Sequence, residues 1–424
     1  LIDKADSKVF SGDNAFTLND TYGFPLDLTK EILSERGMQV DEERFRQLMQ
    51  EQRERARNAR KDAGADAWKG EGSAAVGLPE TVFTGYTQMQ GDGKVLAIIQ
   101  NGQQVDSAAE GAEVSVVLDT TPFYGEGGGQ VGDTGVLEAE GVSVDVVDTT
   151  KHEGVYLHRA VVSEGTLNVG DTLTAKVDEH RRTAIMRNHT AAHLLQAALR
   201  KVLGSHVEQA GQLVNERHVR FDFTHFSALT PEELLQVENL VNQENLKAVP
   251  VSVQEMGIEE ARLSGAMALF GEKYGDVVRV VSVEDGFSKE LCGGTHMDNT
   301  ARLGLFKILS ESSVASGVRR IEGVTAMGVL DLLSVQMATL RDSARAMKVI
   351  NPMELPLHAQ QMMAQLKEKD KEIESLNAKL AQNRLDGVFQ NAQEVDGVKV
   401  VFALLSGTGS DALRALCDKA KERP

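Results

Sequence analysis

Residues 181–204 read RRTAIMRNHTAAHLLQAALRKVLG. This run predicts a helix that ends at Gly204, because glycine readily adopts the backbone conformation that terminates helices. His189 and His193 are four positions apart, and residues with that spacing lie on one face of a helix. Both imidazoles could then bind one metal ion, although a lone histidine pair is more often an ordinary surface or core feature. Helices and strands mix across 180–330, so this helix is predicted to belong to an α/β core.

A second segment, much later in the chain, repeats the same spacing with a thiol and an imidazole. Residues 291–296 read LCGGTH. Three histidines and one cysteine make a complete tetrahedral set for zinc, and sulfur combined with imidazole favours zinc over magnesium or calcium. The predicted ligands of one Zn²⁺ ion are His189, His193, Cys292 and His296.

The residue after the first histidine bears on what such a metal would do. Zinc proteases place a glutamate there as general base, whereas this chain has Thr190, so protease activity is not predicted. Four protein ligands would close the site and make it structural, and three ligands plus water would leave a position for chemistry. The sequence leaves both arrangements open.

A glycine-rich stretch forms the second candidate site. Residues 118–130 read LDTTPFYGEGGGQ. Gly127, Gly128 and Gly129 permit positive φ and close backbone approach, so exposed amides there could hold a carbonyl, a phosphate or a ribose edge. A plain hairpin turn is an equally good interpretation. Thr121 is a candidate hydroxyl for recognising a small polar side chain.

Two weaker candidates follow. Gln209 is a polar residue among apolar neighbours, and it is either a turn residue or part of a pocket. Arg319 and Arg320 lie in the run SGVRRIE. They form either a surface ion pair with Glu322 or bidentate contacts to phosphate.

Composition narrows the classes of function. The 424 residues carry a net charge of −18, which points away from nucleic acid, although a basic face can exist on an acidic protein. Aromatic residues make up only 5% of the chain, which argues against a large stacking platform for single-stranded bases.

Two distant cysteines do not indicate a disulfide scaffold, and they favour the reducing cytoplasm. No signal peptide or membrane-spanning run is predicted. The first residue is not Met and the end follows a helix-like stretch, so a fragment of a longer protein is expected.

The predicted architecture is an α+β multidomain protein. Residues 1–78 are predicted to be helical and to end in an Ala- and Gly-rich linker at 61–79. Period-two strands at 94–99, 113–118, 142–147 and 172–177 predict a small β-barrel within 79–179. Beyond the α/β core at 180–330, apolar heptad positions predict a coiled-coil dimerisation segment within 331–386. Residues 387–424 are predicted to begin a C-terminal α/β domain.

These motifs together resemble the alanyl-tRNA synthetase family of bacterial type. The two metal-binding motifs look like the signature of its editing domain, and the stretch from Thr121 to Gln130 is similar to that domain's glycine-rich loop. The run NDTYGFP at 19–25 looks like the end of the family's tRNA-recognition domain. The order of the segments also fits, and the resemblance covers essentially the whole chain.

The resemblance implies an enzyme that attaches alanine to tRNA(Ala) with ATP and Mg²⁺, whose ATP site lies outside this chain. It implies that this part removes serine or glycine attached by mistake. Thr121 would sense the serine hydroxyl, and Gln209 would lie in the pocket beside Cys292. Gln130, the three glycines, Arg319 and Arg320 are the further substrate-binding candidates.

Two alternatives stay open at this point. The chain could be a zinc-stapled module that binds tRNA and forms a homodimer through 353–385 and the C-terminal domain, without catalysis of its own. It could also be an unrelated zinc hydrolase, which the absence of glutamate after His189 disfavours.

Overall fold

A computed structural model provides the coordinates of the chain. It describes residues 9–22, 26–49, 74–268, 275–390 and 392–402, together with residues 404, 414, 417, 418 and 421. The chain divides into two compact units, Leu1–Asp331 and Leu332–Pro424. Most of the predicted linker at 61–79 and part of the predicted C-terminal domain lie outside the described residues.

The first described elements form a small helical cluster. They are β1 (Val9–Phe10), α1 (Gly12–Tyr22), α2 (Leu26–Glu35) and β2 (Gln39–Val40), with β1 and β2 paired in parallel. Residues 42–49 are helical. Their first turn is capped by Asp41, whose carboxylate accepts from the Arg44 amide at 3.0 Å. Phe10, Ala15, Leu33 and Phe45 form the core of the cluster.

The next segment is the predicted barrel. Its strands are β3 (Val82–Phe83), β4 (Gln90–Gln100), β5 (Gln103–Val105), β6 (Ser107–Ala109), β7 (Glu113–Leu118), β8 (Thr120–Thr121), β9 (Gly135–Ala139), β10 (Val142–His152), β11 (Val155–Glu164), β12 (Thr166–Asn168) and β13 (Thr172–Val177). The hydrogen-bonded order is β13-β9-β10-β11-β7-β4, and β13 also pairs with β4. Six strands therefore close on themselves, which confirms the barrel prediction.

The two-residue period places one side of each strand inside the barrel. Leu173 and Ala175 of β13 are fully buried, while the alternate residues face outward. Leu118, Leu137 and Val144 join them in one core. The glycine-rich stretch follows β8 and leads from the barrel to the next part of the chain.

The α/β core begins with α3 (Glu179–Leu203), which starts two residues before the predicted position and ends at Gly204 as predicted. The remaining elements are β14 (Gln209–Val214), β15 (Val219–Thr224), α4 (Pro231–Leu246), β16 (Val251–Gly257), α5 (Ile258–Leu263), β17 (Val277–Val283), β18 (Lys289–Leu291), a 3-10 helix (Thr300–Leu303), β19 (Phe306–Ala315), β20 (Val318–Thr325) and α6 (Met327–Ala346).

The strands of this core form two sheets. Their strand orders are β14-β15-β20-β19 and β16-β17-β18. Helix α3 is buried along most of its length from Asn188 to Leu199 and shares a core with α4 and β15. Its second half is therefore a rigid support for side chains that point into the protein.

The second unit contains a long helix. A 3-10 turn (Pro352–Glu354) precedes α7 (Leu355–Gln390), and β21 (Gln393–Val395) pairs with β22 (Val398–Val400). Leu366, Ile373 and Leu380 lie seven positions apart and are each more than half exposed. The helix is confirmed, whereas the coiled coil stays a prediction. No helix among the described residues is long and apolar enough to cross a membrane.

Candidate metal centre and its cavity

The four predicted ligands meet in space. His189 and His193 project from one face of α3, and Cys292 and His296 lie in the loop that follows β18. One donor atom from each of the four lies within 4.8 Å of all the others. The Cys292 Sγ atom is 3.5 Å from His189 Nε2 and 3.2 Å from His296 Nε2. The two segments therefore form one site.

The donor set fits a zinc ion. Tetrahedral zinc with bonds of about 2.0–2.3 Å separates neighbouring ligand atoms by roughly 3.3–3.6 Å, close to the two sulfur–nitrogen distances. Thiolate and imidazole are the ligands that zinc prefers over hard cations. Of the four ligands, His193 and Cys292 also line a neighbouring cavity. Any open position on the metal would therefore face that cavity.

The surroundings keep the three imidazoles neutral, which is the form that binds metals. Burial, with a smaller contribution from the positive charge of nearby Arg279, lowers the pKa of His193 to about 3. Burial likewise holds the pKa values of His189 and His296 well below the ordinary value, with smaller contributions from neighbouring positive charge.

Gln130 sets which nitrogen of His189 is available. Its Oε1 atom accepts from the Thr295 backbone amide at 2.9 Å, which identifies that atom as the oxygen. The same Oε1 lies 2.7 Å from His189 Nδ1, so Nδ1 must carry the proton and donate it. The lone pair on Nε2 is thereby left for a metal. Gln130 is fully buried and lies behind the ligand set, not on the cavity wall.

Thr190 orients the imidazole of His296 in the same way. Its hydroxyl donates to the Met186 carbonyl at 2.9 Å, so it can only accept from His296 Nδ1, 3.2 Å away. Nε2 of His296 then faces the metal position. The residue that replaces the glutamate of zinc proteases thus orients a ligand.

The loop that carries Cys292 is held by contacts to its carbonyls. Arg279 Nη1 donates to the carbonyls of Cys292 at 2.9 Å and Gly294 at 2.7 Å. The Tyr86 hydroxyl donates to the Gly293 carbonyl at 2.7 Å. Gly294 passes so close to His189 that any Cβ at this position would overlap the imidazole ring.

A cavity of about 310 Å³ opens beside the metal position. Of the predicted site residues, Gln209, Gly127 and Gly128 line it together with His193 and Cys292. Gln209 begins strand β14 and is therefore not a turn residue. Of the other lining residues, Tyr124 lies within the glycine-rich stretch, whereas the motifs gave no sign of Tyr86, Lys151, Tyr156, Gln212 and Glu290.

Glu290 is the carboxyl group next to the ligand set. Its Oε2 atom lies 3.8 Å from His193 Nε2, and its Oε1 accepts from the Ser288 hydroxyl at 3.0 Å. Burial raises the pKa of Glu290 to about 8. Because burial also keeps His193 neutral, the contact between them is not an ion pair. In the sequence, the sign of Glu290 is that an acidic residue stands two positions before Cys292.

Thr121 lies off the cavity wall and is fully buried in the barrel. The Nδ1 atom of His158 faces the Val116 carbonyl at 2.9 Å and must donate to it. Its Nε2 therefore accepts from the Thr121 hydroxyl at 2.7 Å. That hydroxyl also accepts from the Phe123 amide. A direct contact between Thr121 and a substrate hydroxyl stays a prediction.

The two arginines do not form the expected pair with Glu322. Arg320 makes a bidentate pair with Asp222, at 2.7 and 2.8 Å, and Arg319 pairs with Glu311 at 2.5 Å. Asp222 lies directly opposite Arg320 on the neighbouring strand, which sequence spacing could not show. Neither arginine lines the cavity, and neither does Gly129.

A buried ion pair joins the barrel to α3. Arg182 and Asp133 are almost completely buried, and Arg182 Nε lies 2.9 Å from Asp133 Oδ1. The remaining guanidinium donors bind the Gly85 and Pro122 carbonyls at 2.8 Å. Asp133 in turn accepts from the Tyr124 amide at 2.7 Å. These contacts fix the barrel side of the cavity relative to the metal side.

Comparison with known proteins yields two family models. One is described as tRNA synthetases class II (A) and matches residues 1–181. The other, described as threonyl and alanyl tRNA synthetase second additional domain, matches residues 278–322, which include Cys292 and His296.

Curated relatives match nearly the whole chain. An alanine--tRNA ligase of Acetivibrio thermocellus is 48% identical over 422 residues, which are 99% of this chain and 48% of the relative. The enzymes of that name from Bacillus subtilis and Pelotomaculum thermopropionicum are 45% and 47% identical, over 98% and 99% of this chain. The chain spans about half the length of the curated relatives it matches.

Proposed function

Because the chain is homologous over nearly its whole length to alanine--tRNA ligases of the class II synthetase family, we propose that it carries their editing activity. The activity is hydrolysis of the ester that joins serine or glycine to tRNA(Ala). The convergence of three imidazoles and one thiol at the edge of a cavity is the observation that carries this proposal.

Editing has a physical reason in an enzyme for alanine. A pocket sized for alanine gains little discrimination against smaller glycine or nearly isosteric serine, since such differences are worth about 1–3 kcal/mol. A separate hydrolytic site supplies the missing selectivity. The whole protein would attach alanine with ATP and Mg²⁺, and this chain would correct the errors in the cytoplasm.

In the proposed mechanism, His189, His193, Cys292 and His296 would be the residues that hold one Zn²⁺. The ion would supply Lewis acidity for the ester carbonyl or for a water molecule if three of the four residues ligate it at once, whereas with all four bound it would be structural and would organise the pocket. Gln130 and Thr190 orient two of the imidazoles, so that their Nε2 lone pairs point to the metal position. Outer contacts of this kind are a regular part of zinc sites.

The chain's own groups would do the rest at the cavity wall. Glu290 lies beside His193 and lines the cavity, and burial favours its protonated form, so it would donate a hydrogen bond to the ester rather than take a proton from water. The backbone at Gly127 and Gly128 and the Gln209 side chain would contact the ester and ribose. The Thr121 hydroxyl faces His158 inside the barrel, so we assign Thr121 to positioning. Arg319 and Arg320 are engaged in cross-strand pairs with Glu311 and Asp222, so either would contact a phosphate only after leaving its partner.

The test is loss of the aminoacyl group from seryl-, glycyl- and alanyl-tRNA(Ala) in the presence of the purified chain. We expect the first two to be hydrolysed much faster than the third, and Cys292→Ala to abolish the hydrolysis. Cys417→Ala changes an exposed cysteine and is the matched control. Equal rates for the parent chain and Cys292→Ala would contradict a role for the metal site.

The rival function is a zinc-stapled tRNA-binding and dimerising module. The exposed apolar residues of α7 favour a dimer contact. Under the rival, tRNA binding would persist in every variant and no deacylation would be measurable. The cavity beside the ligand set favours the editing function.

A further inference from the structure

One wall of the cavity is unusually aromatic for this chain. Tyr86, Tyr124 and Tyr156, here called the tyrosine wall, are three of its five tyrosines, and all three line the cavity. Aromatic residues make up only 5% of the sequence. The residues come from separate parts of the barrel segment, so the cluster is a product of the fold.

The wall is held rigidly. Phe83 stacks on Tyr156 with ring centres 5.5 Å apart and an interplanar angle of 7°. The same ring meets Tyr86 edge to face at 4.8 Å. Tyr86 is 44% exposed, yet its hydroxyl is bound to the Gly293 carbonyl and the Arg279 guanidinium carbon lies 4.0 Å from its ring centre. An exposed aromatic ring is therefore fixed in place beside the metal-binding loop.

Positive charge accompanies the wall. The Lys151 ammonium group lies 5.2 Å from the Tyr156 ring centre, and Lys151 also lines the cavity. Rigid aromatic surface next to a cation suits a nucleobase that is attached to a phosphate. The acyl groups proposed above are too small to use this surface.

On these grounds we propose that the tyrosine wall is the binding site for the 3′-terminal nucleobase of the RNA, with Tyr86 as the stacking surface and Lys151 close to the adjoining phosphate. This inference rests on the proposed editing function. The Tyr86–Gly293 bond links the two sites, because Gly293 follows Cys292 directly. A base stacked on Tyr86 would thus leave its ribose ester next to the metal ligands.

The experiment is a double-mutant cycle on the full chain. The substrate is a serylated RNA minihelix that ends either in adenosine or in an abasic ribose. The enzyme is either the parent chain or the Tyr86→Leu variant. Stacking of one base is worth about 10-fold in binding, so we expect base removal to raise KM about 10-fold for the parent chain. Tyr86→Leu should raise KM by a similar factor on the adenosine-ended minihelix and have little effect on the abasic one.

Further variants separate stacking from other causes. Tyr86→Phe keeps the ring and should retain the preference for adenosine, even if losing the Gly293 contact slows hydrolysis. Phe226→Leu removes an exposed aromatic residue elsewhere and should leave all rates unchanged. Zinc content is measured for each variant. If Tyr86→Leu raises KM equally on both minihelices, the tyrosine wall is not the base site. If the parent chain hydrolyses neither minihelix, it is the editing function that fails.

Discussion

At the residue scale, the central feature is that buried hydrogen bonds decide which nitrogen His189 and His296 offer to a metal. Gln130 connects the glycine-rich loop to both metal-binding segments through His189 and Thr295. It does so from behind the ligands. The resemblance suggested a substrate contact for Gln130, but its burial favours a positioning role.

Gln130→Ala should therefore weaken zinc binding, by about 10- to 100-fold as for other outer contacts of zinc ligands. Gln130→Glu retains an oxygen for His189 Nδ1 and should keep most of the affinity. Competition with a chromogenic chelator measures both. Gln254→Ala, at an exposed position on β16, is the control. Unchanged affinity in Gln130→Ala would show that Gln130 does not orient His189.

His158 gives a prediction about pH. Burial lowers its pKa to about 4 from an ordinary value of 6.5. Between pH 6.5 and pH 4 the unfolded chain therefore binds a proton that the folded chain does not, so stability falls as the pH falls through this window. His158 contributes a slope of up to about 1.4 kcal/mol per pH unit.

The His158→Gln variant should lose that part of the slope when urea unfolding is followed from pH 6.5 to pH 4. His180→Gln, at an exposed position, is the control for loss of a histidine. Parallel pH profiles for the parent chain and His158→Gln would argue against a neutral, buried His158.

At the scale of elements, the metal site depends on a helix and a loop that approach very closely. Spacing of four residues predicted the helical pair. The start of α4 has a local signal as well, because Thr230 precedes Pro231 and forms a capping box with Glu233. Both signals are local, so they can be read from the sequence. The contact between Gly294 and His189 is tertiary and cannot be read from spacing.

Gly294→Ala should abolish or strongly reduce zinc binding, because the added methyl group would overlap the His189 ring. Gly293→Ala is a closely matched control, since a Cβ at Gly293 meets no atom within 4 Å. Metal content after purification measures the effect. Equal zinc content in the two variants would contradict the described approach of loop and helix.

The same distinction explains what sequence reasoning missed. Period-two strands predicted the barrel, but they carry no information about which outward side chains would meet the metal site. Tyr86, Tyr156 and Glu290 are close in space and far apart in sequence. Thr121 belongs to the predicted motif, and only the fold shows that its hydroxyl faces His158 inside the barrel.

At the scale of the whole molecule, the second unit carries a surface whose role differs from that of the cavity. Leu366, Ile373 and Leu380 recur at seven-residue intervals on α7 and remain exposed. Apolar surface of this kind commonly marks an interaction site. The heptad spacing fits association of this helix with the same helix of a second copy.

Ile373→Lys should therefore weaken self-association of the chain in sedimentation equilibrium experiments by at least about 10-fold, because it places a charge within an apolar contact. Ala378→Lys adds the same charge at an exposed position off the seam and should have little effect. A parent chain that remains monomeric at high concentration would contradict dimerisation through α7.

Zinc occupancy provides the most direct test of the central claim, that His189, His193, Cys292 and His296 together serve hydrolysis of an aminoacyl ester. Metal-depleted chain would be titrated with Zn²⁺, and single-turnover hydrolysis of seryl-tRNA(Ala) followed at each step. The predicted result is a rate that rises in proportion to bound zinc and saturates at one ion per chain. A rate that does not depend on zinc occupancy would contradict the claim.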